Sequence, residues 1–324
     1  MGHLPAYAPM LARLGQLPSV AQDELFGYEM KWDGVRAIGY VEDGRLRLVS
    51  RNGLDVTVAY PELGPLADAV RGAVVLDGEI VAFGERGLPS FAALQPRMHQ
   101  RDPVKIRVLA RATPVMYLIF DILHLGDATT IRLPYVERRE LLDRTISAGE
   151  RWDVPPYSAG GGATVFESSR ELLLEGVVAK RLSSAYQPGR RSGDWLKVKH
   201  FRTQEVVIGG WKPGEGRRAR GIGSMLIGVH DEAGRLVYAG HVGTGFTDAM
   251  LADLAERLAP LDRATSPFAD EVPREHARHA HWTDPVLVGE VRYAEWTADG
   301  RLRHPSWRGL RPDRRAAEVG REPG

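Results

Sequence analysis

The chain has 324 residues, with 43 Lys+Arg against 42 Asp+Glu and 43% hydrophobic side chains. That length suggests two domains of ~150 residues each, and the near-zero net charge means that any nucleic-acid surface must be a local patch. With no cysteine, disulfides, thiolate metal sites and a cysteine nucleophile are excluded; no apolar run reaches the ~18 residues of a membrane helix and the first residues lack a signal pattern, so a cytoplasmic protein with no membrane partner is expected.

Residues 28–41 are rich in strand formers, and "VEDGRLRLVSRNG" reads as a hairpin that turns at Asp43-Gly44 and returns through Arg45–Ser50. "YPELGPLADAV" predicts a short helix opened by Pro61. "GAVVLDGEIVAF" is an apolar run interrupted by Asp77 and Glu79, hence a buried strand carrying carboxylates. "PSFAALQPRM" predicts a short helix and "PVMYLIFDILHL" a second apolar strand with one acid, Asp121. "YVERRELLDRTI" has helical spacing, with Leu141, Leu142 and Ile146 on one side. "ESSRELLLEGVVAKRL" passes from helix to strand at Glu175-Gly176, and "DWLKVK" is a short strand after the basic loop "YQPGRRSGD".

The pattern changes near residues 200–203. "TQEVVIGGW" starts a new set of strands, "GSMLIGVHDEAGRLVYAGHVGTG" reads as a hairpin, "TDAMLADLAERLAPL" as a helix capped by Thr247, and "PVLVGEVRYAEWT" as a long strand. Several strands and one helix suit a small barrel of the OB type. The arginine-rich tail after Asp313 is expected to fray.

Lysine is scarce: Lys31, Lys105, Lys180, Lys197, Lys199 and Lys212 are the six in the chain, and the other 37 basic residues are arginine. Arginine keeps its proton at any usable pH, whereas a lysine can become a nucleophile. Lys31 stands in "YEMKWDGVR" beside Asp33, while Lys180, Lys197 and Lys199 fall in strand contexts, as do Glu79 and Glu175. Charges in strand interiors need partners or a function. Carboxylates without histidine or cysteine clusters suit Mg²⁺ or Mn²⁺. Lys197 and Lys199, two apart on a strand, share a face and could hold phosphate oxygens. Together these residues suggest a lysine, a divalent metal and a polyphosphate.

Lys31-Trp32-Asp33-Gly34 matches the K-x-D-G signature of covalent nucleotidyltransferases. In order behind it come "SRNG", "LDGEIVAF", "YLIFDIL", "EGVVAKR", "DWLKVK" and "HPSWRGLRPDR". In this ordered set the sequence resembles the ATP-dependent DNA ligases, and most closely the ligase module of bacterial end-joining proteins and its stand-alone relatives. The resemblance runs from about Pro9 to Arg314. It implies an α+β fold: a nucleotidyltransferase (ATP-grasp-like adenylation) domain over 1–201, with antiparallel sheets and flanking helices, then an OB-fold β-barrel over 202–324.

The resemblance also implies roles. Lys31 attacks the α-phosphate of ATP and carries AMP. Glu29 accepts from the adenine amino group, Phe120 stacks on the base, and Arg36 and Arg51 touch the ribose or the DNA phosphate. Glu79, Glu175 and Asp33 hold Mg²⁺ or Mn²⁺. Lys197 and Lys199 grip the α-phosphate, and Lys180 lies in the same nucleotide pocket. Arg308, Arg311 and Asp313 close over the departing pyrophosphate. The sixth motif usually ends Asp-Lys, and here Arg314 follows Asp313, a fork in place of a point charge. Like-charge repulsion from Lys197, Lys199 and the metal is expected to free the Lys31 lone pair. Trp195 and Trp307 are read as packing residues.

DNA contacts are expected to phosphate, through Arg190 and Arg191 in "PGRRSGD" and Arg217, Arg218 and Arg220 in "RRARG". The implied partners of a monomer are nicked or broken duplex DNA, Ku, and separate polymerase or nuclease proteins, in a bacterial cytoplasm at the nucleoid. An RNA ligase, an mRNA-capping-type nucleotidyltransferase and a catalytically inactive nucleic-acid-binding module remain alternatives. Glu29 and "RGLRPD" favour adenine and DNA, and the intact Lys31, Glu79, Glu175, Lys197 and Lys199 favour an enzyme.

Overall fold

The hairpin at residues 41–50 forms with Asp43 and Gly44 both at positive φ (51° and 69°), the geometry that joins two right-twisted strands through a two-residue turn. It belongs to a computed structural model that describes residues 4–84, 87–98, 100–214 and 221–322. The chain divides into two units, residues 1–200 and 201–324.

In chain order the first unit holds β1 (Leu11–Leu14), β2 (Phe26–Met30), β3 (Val35–Glu42), β4 (Arg45–Ser50), α1 (Leu66–Ala69), β5 (Val74–Ala82), α2 (Phe91–Leu94), α3 (Pro103–Ala112), β6 (Val115–Leu125), β7 (Ala128–Thr129), α4 (Tyr135–Thr145), β8 (Trp152–Asp153), β9 (Ser158–Ala159), α5 (Gly162–Glu171), β10 (Gly176–Arg181) and β11 (Arg191–Lys199). Two sheets result. One has the order β1-β11-β10-β2-β9, antiparallel except for β1 on β11. The other has the order β4-β3-β5-β6-β7, with β8 parallel on β6.

The apolar run "VVLDGEIVA" becomes the central strand β5, paired on both sides and covered on both faces. Gly78 is required there, because a Cβ would lie 2.5 Å from the Tyr117 ring and 2.6 Å from the Leu118 carbonyl oxygen. The main core lies against this sheet and includes Leu48, Leu76, Ile80, Tyr117, Ile119 and Leu142. As the spacing predicts, α4 buries Leu142 toward it, with Leu141 partly buried and Ile146 following.

In the second unit, β12 (Arg202–Pro213), β13 (Ile222–His230), β14 (Leu236–Val242), α6 (Asp248–Leu258), β15 (Asp262–Arg263), α7 (Arg274–Ala277), β16 (His281–Thr283), β17 (Val288–Tyr293) and β18 (Ser306–Leu310) follow in order. The sheet runs β14-β13-β12-β16-β15, with β17 pairing β12 and β18. Thr247 caps α6 by accepting from the Met250 N–H at 3.2 Å. Trp307 is a buried member of this core.

Two expectations are corrected and one helix is added. The "RRSGD" stretch is not all loop: β11 begins at Arg191, because β1 pairs beside it and holds it extended. The tail after Asp313 does not fray. Val319 is buried in the barrel core, the His230 N–H donates to its carbonyl at 2.8 Å, and Arg314 pairs with Glu205. Helix α3 had no counterpart in the sequence reading, although Asp102 caps it and Pro103 opens it.

Two arginines on α4 are buried, which the helical spacing of its leucines did not reveal. Arg138 forms a fork with Asp121 (Nε–Oδ1 2.7 Å, Nη2–Oδ2 3.0 Å) and donates to the Leu133 and Ser184 carbonyls. Both side chains are fully buried. Removing one partner of such a pair costs about 3–5 kcal/mol, since the other charge is left without compensation. Arg138→Met is expected to lower stability to urea by about that amount, and Asp121→Asn in the same chain to recover part of it. Equal losses from the single and the double variant would show that the pair is not the stabilising unit.

Candidate active site

Lys31 directly follows β2, and its backbone N–H donates to the Gly176 carbonyl at the start of β10 (2.9 Å). Gly176 has φ 146°, and a Cβ there would meet the Val198 carbonyl oxygen at 2.0 Å, so the β10–β11 contact admits only glycine. This close approach fixes the residue before it, Glu175, against the end of β2. The buried Glu175 carboxylate pairs with Lys31 Nζ through Oε2 and with Lys199 Nζ through Oε1 (2.7 Å). The like-charge surroundings expected for Lys31 are thus interrupted by an anion.

Strand register gathers the rest. Val178 lies opposite Glu29 on one side and Lys197 on the other, so with a side-chain period of two Glu29, Lys180, Trp195, Lys197 and Lys199 share one face of the first sheet. Glu29 is buried: Tyr135 OH donates to its Oε1 at 2.5 Å, and it forms ion pairs with Lys180 Nζ at 2.6 Å on Oε2 and with Arg139 Nη1 at 3.7 Å. Burial lowers the Lys180 pKa, against the pull of Glu29 and Asp121. Burial first, and then Glu29, raises that of Tyr135. The Lys180 ammonium lies 4.3 Å from the ring centroids of both Phe120 and Trp195.

On the second sheet Arg36 lies opposite Glu79, and Ile38 opposite Asp77. Arg36 forms a fork with the buried Asp77 (Nε–Oδ1 2.9 Å, Nη2–Oδ2 2.5 Å), and Tyr186 OH donates to the same carboxylate at 2.6 Å. The Arg36 guanidinium also lies 5.2 Å from the Phe120 ring. Lys31, Asp33, Arg51, Glu79, Lys197 and Lys199 are all partly exposed.

Among the described residues no three Asp, Glu or His side chains gather closely enough to hold one ion. Asp33, Glu79 and Glu175 therefore do not form a ready three-acid site, and Glu175 instead bears two lysines. In the second unit Arg308, Arg311 and Asp313 do come together. Arg311 forks onto Asp313 (2.8 and 2.7 Å) and reaches Glu290 (3.3 Å), and Arg308 Nε meets Glu290 at 3.1 Å. Arg314 is engaged by Glu205 in the same network. Arg190 and Arg191 are exposed, and Arg191 donates to the Ala12 carbonyl at 2.7 Å. Arg217, Arg218 and Arg220 lie outside the described residues.

The sequence reading missed Tyr135 and Arg139, which orient Glu29, and Asp77 and Tyr186 as the partners of Arg36. The available signal was an arginine pair on an otherwise leucine-spaced helix, opposite strands rich in acids.

Comparison with known proteins gives a consistent picture. Residues 9–199 match the model described as ATP dependent DNA ligase domain, and residues 218–314 the ATP dependent DNA ligase C terminal region. The multifunctional non-homologous end joining DNA repair protein LigD of Mycobacterium tuberculosis is 45% identical over 97% of this chain. The chain spans 40% of the length of that relative. A DNA ligase of Thermococcus fumicolans is 31% identical over 96% of this chain and 56% of its own length. The solved structure of mycobacterial DNA ligase D complexed with ATP and MES is similar across 98% of both chains, with TM-score 0.70 and 43% identity.

The short Tyr135–Glu29 hydrogen bond is buried and charge-assisted, a class worth about 1.5–3 kcal/mol. A double-mutant cycle of Tyr135→Phe and Glu29→Gln, read by urea denaturation, is expected to give a coupling of that size. Additive losses would show that Tyr135 does not bear on the carboxylate.

Proposed function

The chain belongs to the ATP-dependent DNA ligases, and from that we propose that it seals 5′-phosphate/3′-hydroxyl breaks in duplex DNA through a lysyl-AMP formed on Lys31, in repair by end joining. The observation that carries the assignment of the nucleophile is Lys31 Nζ in contact with Glu175, beside Lys199 and two residues from Glu29. The adenylation chemistry is assigned to residues 1–201 and the OB-fold barrel to 202–324.

In the first step the Lys31 amine bonds to the α-phosphorus of ATP and the bond to the β-phosphate oxygen breaks, releasing pyrophosphate. The amine must first lose a proton, and Glu175 Oε2 is the acceptor already in contact with it. Lys199 and Lys197 then offer charge to the α-phosphate oxygens. Glu29, oriented by Tyr135, Arg139 and Lys180, accepts from the adenine amino group beside the Phe120 ring. AMP next passes from Lys31 to the DNA 5′-phosphate. The 3′-hydroxyl oxygen then attacks that phosphorus, and AMP leaves.

Glu79 and Glu175 are the carboxylates proposed to hold a divalent cation of the Mg²⁺ type, which takes one or two carboxylates and completes its shell with substrate phosphates; Glu175 would first release Lys31 and Lys199. When bound, it supplies charge stabilisation at the phosphoryl oxygens. Arg308 and Arg311 are proposed to stabilise the pyrophosphate, although Arg311 must first loosen its fork with Asp313. The DNA contacts proposed for Arg190, Arg191, Arg217, Arg218 and Arg220, and Ku with polymerase or nuclease proteins as partners, follow from the kinship with end-joining proteins.

Two outcomes are expected. Lys31→Arg keeps the charge but cannot carry AMP, so intact-mass measurement after incubation with ATP and Mg²⁺ should show no added AMP. An adduct on that variant would move the nucleophile elsewhere. Glu79→Ala should shift the metal titration of AMP capture to higher concentration and lower the rate steeply. An unchanged titration would make Glu79 a structural acid. GTP in place of ATP and nicked RNA in place of DNA separate the capping and RNA-ligase alternatives.

A further inference from the structure

We propose that helix α3 is a DNA-backbone contact on the catalytic unit, set by Arg107 and Arg111 on one flank and by Lys105 and the preceding Arg101 at the other. The proposal rests on the ligase reading above and deepens it. The stretch from Arg101 to Ala112 contains four cations and one acid, Asp102. Asp102 is occupied in capping the helix, its Oδ1 accepting from the Val104 N–H at 2.8 Å. Arg101, Lys105, Arg107 and Arg111 are all exposed, and none of them forms an ion pair among the described residues. By contrast Arg36, Arg97, Arg138 and Arg139 of the same unit all do.

The helix is anchored by the buried Ile106, which fixes which face points outward. At 3.6 residues per turn, Val104 and Val108 lie in the middle of that face, with Arg107 and Arg111 on one side and Lys105 on the other. The two valines are 60% and 61% exposed. An apolar stripe between cations matches a polynucleotide backbone, whose sugars lie between phosphates. Arg107 and Arg111 are about 6 Å apart along the axis, at 1.5 Å per residue. That is close to two nucleotides, each ~3.4 Å along one DNA strand.

The place of the helix in the fold favours DNA over an acidic protein. Helix α3 leads into β6, whose first residue Val115 pairs with Ala82. Ala82 is three residues along β5 from Glu79, a distance of about 10 Å at the usual strand rise. The basic face is therefore attached to the same end of the sheet as the proposed metal ligand.

Contacts to phosphate release counterions, so each one contributes about 0.9 to the slope of log K against log salt. The probe is a fluorescent nicked duplex with a 3′-deoxy terminus at the nick, which cannot be sealed, titrated by anisotropy from low to moderate NaCl. Arg107→Ala with Arg111→Ala is expected to weaken binding and to flatten the slope by about 2, with little dependence on sequence. Arg107→Lys with Arg111→Lys should keep the slope, which separates lost charge from a misfolded helix. A slope unchanged in the alanine pair, with its thermal midpoint preserved, overturns the proposal and leaves the face to an acidic protein partner. A slope lost in both pairs also overturns it, since charge alone would not explain the effect. If the wild-type protein fails to bind the nicked duplex, the ligase reading itself falls.

Discussion

A carboxylate inside a sheet must be met by a cation or a dense set of donors, and this requirement organises the first unit. Asp121 is met by Arg138, Asp77 by Arg36 and Tyr186, Glu29 by Lys180, Tyr135 and Arg139, and Glu175 by Lys31 and Lys199. A buried anion left alone would cost several kcal/mol. In the native strand register each of these acids reaches its partner. The chain thus uses one set of contacts to hold its two sheets and to assemble the proposed site.

The pairs differ in kind. Arg138 and Asp121 are sealed from solvent, and the guanidinium spends its donors on the carboxylate and two carbonyls. Lys31 retains 21% of its side-chain surface and makes a point contact. A rigid fork suits a permanent joint, and a mobile ammonium suits a contact that must break and re-form. Lys180, by contrast, is a buried lysine whose pair with Glu29 is as enclosed as the arginine forks.

Much of this was legible in the sequence. The apolar runs around Asp77, Glu79 and Asp121 gave their strands, the Asp43-Gly44 dipeptide gave its turn, and Thr247 gave the start of a helix. Spacing of two placed Lys197 and Lys199 on one face. What spacing could not supply was the identity of partners distant in sequence. Tyr135 is 106 residues from Glu29 and Tyr186 is 109 from Asp77. The tail was misread because Val319 is the one large apolar residue among charges and alanines, and only the end of β13 at His230 gives it a place. Helix α3 was missed because its apolar residues do not form one inward stripe: Ile106 is buried while Val104 and Val108 face out.

The concentration of lysine has a practical side. Four of the six amines on side chains, those of Lys31, Lys180, Lys197 and Lys199, belong to one face of the first sheet or the end of β2 beside it, and Lys105 stands on α3. Amine-directed reagents would therefore meet the exposed Lys105 on α3 and the partly exposed Lys31 and Lys197 of the proposed site, while Lys180 stays buried. Coupling this protein to a bead, a dye or a sensor chip through its amines would silence what is to be observed. The absence of cysteine offers the alternative: one thiol introduced on the outer face of the barrel would be a unique handle, and the chemistry of attachment would stay clear of the chemistry of the site.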